Sequence, residues 1–186
     1  MSAAPRQDLL SLTPDALRAA LGEHFARRGQ PAYRVDQVIQ WIYERLAASI
    51  DEMTDLPSSE RSALGEGFEI AEPEEARVEV SKDGTVKHLW KLADGELIES
   101  VLIPTSKRLT LCISSQAGCA MGCTFCATGW GGFDRQLTAG EIVAQYRASR
   151  RWVEARDRGP ISNIVYMGMG EPLSNRKAVH PSLTIL

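Results

Sequence analysis

The chain has 186 residues, a formal net charge of −3 and 44% hydrophobic residues. This length and composition suit one domain, or a small domain joined to part of a larger one, and the acidic balance excludes a uniformly basic nucleic-acid binder. The start, MSAAPRQDLL, lacks an apolar signal region, and no run approaches the roughly 18 apolar residues of a membrane span. We therefore expect a cytoplasmic protein that works under reducing conditions.

The charge is unevenly distributed along the chain. Residues 1–100 contain 11 basic and 19 acidic side chains, whereas residues 101–186 contain 10 and 5. Attraction to a polyanion would therefore come from local basic clusters. The candidate RNA contacts are Arg27, Arg28, Arg34, Arg147, Arg150, Arg151, Arg156 and Arg158. A solvated helix face explains such clusters equally well, so both interpretations stay open.

Three helices are predicted in the first 70 residues. Thr13 followed by Pro14 is typical of an N-cap and first helical position, and Gly29 ends that helix. A third helix begins after Pro57. The second helix is indicated by apolar residues with helical spacing, namely Val35, Val38, Ile39, Ile42 and Leu46. Residues 1–70 are therefore predicted to form a small all-α domain.

A β-hairpin connector is predicted for residues 71–104. The period of the sequence changes there from helical to alternating, with a Lys-Asp-Gly turn at 82–84 and an Asp-Gly turn at 94–95. The predicted strands are 77–81, 85–92 and 96–103.

An α/β arrangement is predicted for residues 105–186. A strand at 109–114 is followed by a helix that starts at the capping box Thr138–Glu141 and runs to about Arg156, and then by a strand at 161–167. This order describes a βαβ unit, whose two strands are parallel neighbours or near neighbours.

Three of the four cysteines stand within eight residues of one another. They are Cys119, Cys123 and Cys126. The segment follows a predicted strand directly, and Gly118 and Gly122 let its backbone turn tightly. A zinc site usually draws a second ligand pair from a distance, but the remaining cysteine, Cys112, lies back on the preceding strand. An iron–sulfur cluster is held by cysteine thiolates, so this trio favours a cluster, with zinc as the alternative.

This run resembles the CxxxCxxC motif of radical S-adenosylmethionine (SAM) enzymes. The following segment, ATGWGGFDRQLTAGEIV at 127–143, is similar to one subgroup, the radical SAM adenine-C2 RNA methyltransferases of the RlmN type. The same holds for IVYM at 164–167 and GMGEP at 168–172. Near the start, GQPAYR at 29–34 and MTDL at 53–56 resemble the family's N-terminal accessory domain. Altogether the resemblance covers roughly residues 10–178.

The resemblance implies a fold and a set of cofactors. The fold is α/β: the N-terminal part of a radical SAM partial (β/α) barrel at 105–186, preceded by a helix-hairpin-helix-like domain and the hairpin connector. The cluster is of the [4Fe-4S] type, held by the three cysteines, and its open iron binds SAM. Gly170 and Glu171 are implied to contact SAM, although a bare strand-to-helix turn is the alternative for this loop.

Two further residues receive roles from the same family. Strand alternation places Glu99 with Leu97, Val101 and Ile103 on a face that we predict to be buried, where burial would make its carboxylate a stronger base. Its position matches the family's proposed proton acceptor; a solvated edge carboxylate is the alternative. Cys112 has the spacing of a cysteine that forms a transient disulfide with a distant methyl-carrying cysteine, although a buried cysteine on a strand is usually structural.

The implied reaction is methylation of carbon 2 of an adenine in 23S ribosomal RNA and in transfer RNA. An electron donor such as flavodoxin would serve it, without a membrane, and the complete enzyme would be a monomer. The methyl-carrying cysteine is not among the four in this chain. We therefore expect a C-terminally truncated fragment that is poorly soluble and inactive alone, because its half-barrel would expose apolar strand faces. Alternatives are a radical SAM enzyme that methylates carbon 8, and a non-catalytic metal-binding protein that interacts with RNA.

Overall fold

The computed structural model describes residues 6–186, so residues 1–5 of the predicted helical domain lie outside the described part. The α-helices are α1 Pro14–Arg27, α2 Tyr33–Tyr43, α3 Ser58–Gly67, α4 Ala127–Gly131, α5 Ala139–Glu154 and α6 Arg176–Ile185. The strands are β1 Gln7–Asp8, β2 Phe68–Glu69, β3 Glu74–Val80, β4 Val86–Lys91, β5 Leu97–Pro104, β6 Leu109–Cys112, β7 Gln116–Gly118, β8 Phe133–Gln136 and β9 Asn163–Val165. The predicted α/β class is confirmed. Within residues 6–186, no helix is long and apolar enough to cross a membrane.

The first three helices form where the sequence predicts them. Thr13 is the N-cap of α1 with Pro14 at its first position, and the α2 stripe of Val35, Val38 and Ile42 is buried. Leu46 departs from the prediction because α2 ends before it. Its backbone adopts a φ of +54°, which turns the chain back so that the side chain remains buried outside the helix.

The helical part and the α/β part share a packed boundary. One apolar cluster joins buried side chains of α1, α2 and α3, such as Leu17, Ile42 and Leu64, to Val143 and Ala144 of α5. Helix α5 therefore packs against the helical part as well as against the main sheet. Its N-terminus has the predicted capping box, in which Thr138 and Glu141 exchange hydrogen bonds.

The main sheet has five strands in the order β3-β4-β5-β6-β9. Strands β3 to β6 pair antiparallel in sequence, and β9 lies parallel to β6, so the predicted βαβ unit is confirmed, with α5 in its crossover. The second strand was predicted at 161–167, but only Asn163–Val165 belongs to the ladder. The prediction is too long because the chain leaves the ladder at Tyr166 and enters a glycine loop.

The two faces of this sheet differ in their surroundings. On one face, which we call the covered face, apolar side chains pack beneath Ile142, Ala148 and Trp152 of α5. The covered face consists of Val86, His88, Trp90, Ile98, Ser100, Leu102 and Leu111. Alternation sends the neighbouring residues to the opposite face, which we call the open face. The open face consists of Lys87, Leu89, Glu99, Val101, Ile103, Thr110 and Cys112.

Three arginines of α5, predicted as RNA contacts, instead attach this helix to the helical part. Arg147 is 1% exposed and donates hydrogen bonds to Glu72 and to the carbonyl oxygens of Ile42 and Ala47. Arg151 also binds Glu72, at 2.7 Å. Helix ends leave backbone carbonyls without partners, and cations there are favourable. The burial of Arg147 contradicts the RNA interpretation for this residue, whereas the Arg151 side chain is 32% exposed and remains a candidate.

The remaining candidate arginines also have protein partners. Arg150 donates to the Tyr43 carbonyl oxygen at 3.0 Å. Arg28 binds Glu60 at 2.8 Å, Arg27 binds Glu23, and Arg34 donates to Gln37. Arg156 and Arg158 lie over the Trp152 ring. Several of these guanidinium groups donate hydrogen bonds to carbonyl or carboxylate oxygens within the protein. The alternative of a solvated helix face therefore accounts for only some of the candidate arginines.

Candidate functional site

The three clustered cysteines lie on one loop between β7 and α4. The base of this loop is closed by the antiparallel pair β7–β8 and by the Cys119 amide, which donates to the Gly132 carbonyl oxygen at 2.7 Å. Gly118 precedes the loop with a φ of +72°, and a Cβ at this position would collide with the same oxygen. The tight approach of the two chain segments therefore requires glycine at 118.

The thiols of this loop are free and accessible. Cys119, Cys123 and Cys126 are each half-buried and none is in a disulfide. Backbone hydrogen bonds from Gly129 and Thr128 lower the pKa of the Cys126 thiol below its ordinary value, which favours the thiolate that binds metals. Three free thiols on one turn fit an iron–sulfur cluster as a donor set. In residues 6–186, however, no three such ligand side chains converge on one point.

The glycine loop 168–172 packs against the chain segment that leads to the cysteines. The Gly168 amide donates to the Ile113 carbonyl oxygen at 3.0 Å, and the Ser115 amide donates to the Met169 carbonyl oxygen at 2.8 Å. A Cβ on Gly168 would approach the Ile113 backbone to 2.8 Å, so the two segments touch only because this residue has no side chain. The glycine loop after β9 therefore lies at the same end of the sheet as the segment 113–118, which leads from β6 to the cysteine loop.

The predicted SAM-contacting residues lie in this loop. Gly170 has a φ of +95° and packs on the Gln116 side chain. The Glu171 amide donates to Gln116 Oε1 at 2.9 Å, while the Glu171 carboxylate accepts from the Leu173 amide at 3.0 Å. Gln116 begins β7, which ends just before Cys119, so the structure brings the glycine loop beside the stem of the cysteine loop.

The predicted proton acceptor is not buried as expected. Glu99 does share a face with Leu97, Val101 and Ile103, but the covered face of β5 is formed by its alternate residues. The Glu99 side chain is 40% exposed, and its Oε1 lies 3.1 Å from Lys87 Nζ. The prediction of a buried carboxylate is therefore wrong; the group is a partly exposed ion-pair partner on the open face.

Cys112 lies on the same face as Glu99. It pairs with Val101 on β5 and with Val165 on β9, so Glu99 is its diagonal neighbour, at about 7 to 8 Å between backbones. The cysteine is 8% exposed, and burial raises the pKa of its thiol above the ordinary value. The structure thus brings the two residues with implied chemical roles together, with a neutral thiol at Cys112.

Two amide side chains that the sequence did not indicate hold the segment between these groups. Gln145 of α5 is fully buried and bonds both the amide and the carbonyl of Ser114, each at 2.9 Å. Asn175 donates to the carbonyl oxygens of Ser115 and Leu137, both at 2.8 Å. Both satisfy backbone groups of an irregular buried segment. For Gln145, the one signal in the sequence is that a polar residue stands among the apolar residues that α5 buries.

The chain is similar to known proteins along nearly its whole length. It matches the crystal structure of a radical SAM methyltransferase from Sphaerobacter thermophilus with a TM-score of 0.85 and 42% identity, covering 97% of this chain and 52% of that one. A probable dual-specificity RNA methyltransferase RlmN of Gemmatimonas aurantiaca is 50% identical over 179 residues, which are 96% of this chain and 49% of the relative. The RlmN of Anaeromyxobacter sp. is 47% identical, over 98% of this chain and 48% of its own length.

Fold and cysteine spacing together place the chain in the class of radical SAM methyltransferases. Residues 7–70 match the family described as "Ribosomal RNA large subunit methyltransferase N-terminal domain". Within that class the chain belongs to the RlmN family. It spans about half the length of the curated relatives that it matches.

Proposed function

We propose that this chain contributes to a radical SAM enzyme that methylates carbon 2 of an adenine in 23S ribosomal RNA and in transfer RNA. The observation that carries the proposal is the joint placement of the cysteine loop and the glycine loop at one end of the parallel strands β6 and β9. Ligands of α/β sheets bind at the carboxyl ends of the strands. The RlmN relatives are named as RNA methyltransferases, which supports the substrate class.

The cofactors of this proposal are a [4Fe-4S] cluster and SAM. Cys119, Cys123 and Cys126 would hold the cluster, and Gly170 and Glu171 would contact SAM. When bound, the cluster supplies one electron to SAM and so starts the chemistry of the class. The chain's own contribution is positional: the Gly118 turn anchors the cysteine loop, and Gln116 connects that loop's stem to Glu171.

Glu99 and Cys112 have the remaining roles in the proposal. Glu99 accepts the proton that leaves carbon 2 of the adenine, and its carboxylate lies on the open face, away from the side that α5 covers. The Cys112 thiolate would attack the sulfur of the methyl-carrying cysteine and form a transient disulfide, while the bond from that sulfur to the transferred carbon breaks and its electron pair leaves with the carbon on the adenine. Burial raises the pKa of the Cys112 thiol, so formation of this thiolate needs a nearby base. We further propose a cytoplasmic monomer that receives electrons from a donor such as flavodoxin.

Anaerobic reconstitution of the chain with iron and sulfide tests the proposed metal site. We expect about four iron atoms per chain, and loss of iron in the variant with Cys119, Cys123 and Cys126 all replaced by alanine. Cys112→Ala is the matched control, because this thiol lies on the sheet, and it should keep the iron. Stoichiometric zinc in place of iron, or iron that survives the triple replacement, would refute the proposed cluster.

A further inference from the structure

The open face of the sheet carries a row of ion pairs across β3, β4 and β5. Lys87 Nζ lies 3.1 Å from Glu99 Oε1 and 3.7 Å from Glu79 Oε2. The ladder places Glu79 directly opposite Lys87 on β3, whereas Glu99 lies diagonally across on β5. The lysine thus reaches past its direct neighbour on β5, Val101, toward the more distant carboxylate.

The two carboxylates depend on Lys87 to different degrees. Glu79 has a second cation, since Arg77 Nη2 lies 2.8 Å from its Oε1. Among the ion pairs of residues 6–186, Glu99 pairs with Lys87 alone. The hydrogen bond that the Lys87 ammonium group donates to Glu99 is also the largest cause that raises the pKa of Lys87 above its ordinary value. Removing the lysine charge should therefore affect Glu99 more than Glu79.

We propose that Lys87 is the positioning residue of the Glu99 carboxylate, whose direction on the open face beside Cys112 is fixed by the Lys87 ammonium group at 3.1 Å. This inference rests on the proposed function, from which Glu99 takes its role as proton acceptor. A proton acceptor works only when it is fixed in direction. When Glu99 takes up a proton it becomes neutral, and Lys87 remains an ammonium ion.

Chemical modification of the chain tests whether Lys87 protects Glu99. The chain is treated near neutral pH with a carbodiimide and glycine methyl ester, and peptide mass spectrometry follows amide formation at Glu99 and Glu79. The carbodiimide converts a carboxyl group to an activated ester, and an amine in contact with that ester displaces the urea, so the Lys87–Glu99 pair should form a direct amide cross-link in place of the glycine methyl ester product. In Lys87→Met we expect that product at Glu99 to rise about two- to fivefold, whereas Glu79, which keeps Arg77, changes less. Lys87→Arg should lose the cross-link while keeping the ion pair.

A second measurement does not require the lysine to be removed. NMR titration of the Lys87 side chain should show its pKa falling toward the ordinary value in Glu99→Gln, with a smaller change in Glu79→Gln. Equal modification of Glu99 with and without Lys87, or an unchanged Lys87 titration in Glu99→Gln, would overturn the inference. Neither measurement involves iron, SAM or RNA. Loss of the cluster would therefore refute the proposed function while leaving the ion pair testable.

Discussion

The covered and open faces of the main sheet use alternate residues of the same strands for different purposes. On β5, Ile98 and Leu102 are almost fully buried beneath α5, while Glu99 and Val101 between them belong to the open face. The covered face gains its stability from removal of apolar surface from water. The open face carries an ion-paired carboxylate and a thiol, which contribute little to folding. The comparison indicates that the covered face stabilises the fold, while the open face carries the two side chains to which the proposed function assigns roles.

The largest expected difference between the faces comes from adjacent residues of β5. Leu102→Ala removes a side chain that is 1% exposed and should lower the free energy of unfolding by about 2 to 5 kcal/mol. Val101→Ala, on the open face, should lower it by less than about 1 kcal/mol. Urea denaturation of both variants measures the difference. Equal losses would show that the open face is packed as tightly as the covered one.

The helix that covers the sheet should depend on its buried arginine. Arg147→Met leaves Arg151 as the remaining cation beside Glu72, whose side chain is 10% exposed. It also removes the donors to the carbonyl oxygens of Ile42 and Ala47. We expect a loss of about 3 kcal/mol, because a broken buried pair leaves an uncompensated charge. Arg27→Met is the control, with an expected loss of less than about 1 kcal/mol, since its pair with Glu23 is exposed. Similar losses in both variants would contradict the assigned contacts.

The covered face should also make the protein sensitive to acid through His88. This side chain is fully buried against Trp90 and Trp152, and burial lowers its pKa from 6.5 to about 4, with Arg156 contributing in the same direction. The unfolded chain binds a proton below pH 6.5, whereas the folded chain resists it until about pH 4. Stability is therefore full above pH 6.5 and falls as the pH drops toward 4, by at most about 3 kcal/mol.

Replacement of His88 by a non-titrating ring tests this dependence. The free energy of unfolding of His88→Phe, measured between pH 7 and 4, should fall less steeply with decreasing pH than that of the unchanged protein. The control His180→Gln, at an exposed position, should show the same pH dependence as the unchanged protein. Identical slopes in all three proteins would exclude His88 as the source.

The smallest effect is expected on the open face. Glu99→Gln removes one partner of a pair whose side chains are each about 40% exposed, so the free energy of unfolding should change by less than about 1 kcal/mol. Urea denaturation measures this change, with Glu79→Gln as the control on the same lysine. A loss comparable to that of Leu102→Ala would contradict the division of the faces.

Sequence patterns predicted the local elements well because their causes are local. Pro14 at the start of α1 and the capping box at Thr138 fix helix ends through neighbouring residues. The buried face of β5 was not predictable in this way, because its sequence, LIESVLIP, has apolar and polar residues at both alternate sets of positions. Only the packing of α5, which lies about forty residues further along the chain, decides between them.

The site was predictable to the extent that it is continuous in sequence. The cysteine spacing and the glycine loop are local motifs, so their residues could be named from the sequence. The contacts of Arg147 could not be predicted, because its carbonyl acceptors on Ile42 and Ala47 lie about a hundred residues away in the sequence. Gln145 and Asn175 were missed for the same reason, since their backbone partners become neighbours only in the folded chain.

The most direct test of the cysteine loop is the electron paramagnetic resonance spectrum of the reduced, anaerobically reconstituted chain, recorded before and after addition of SAM. We expect a signal of a four-iron cluster that shifts on addition of SAM and is lost when Cys119, Cys123 and Cys126 are replaced by alanine. A chain that takes up no iron, or a cluster signal that SAM leaves unchanged, would contradict the assignment of these three thiols to an open-sited cluster.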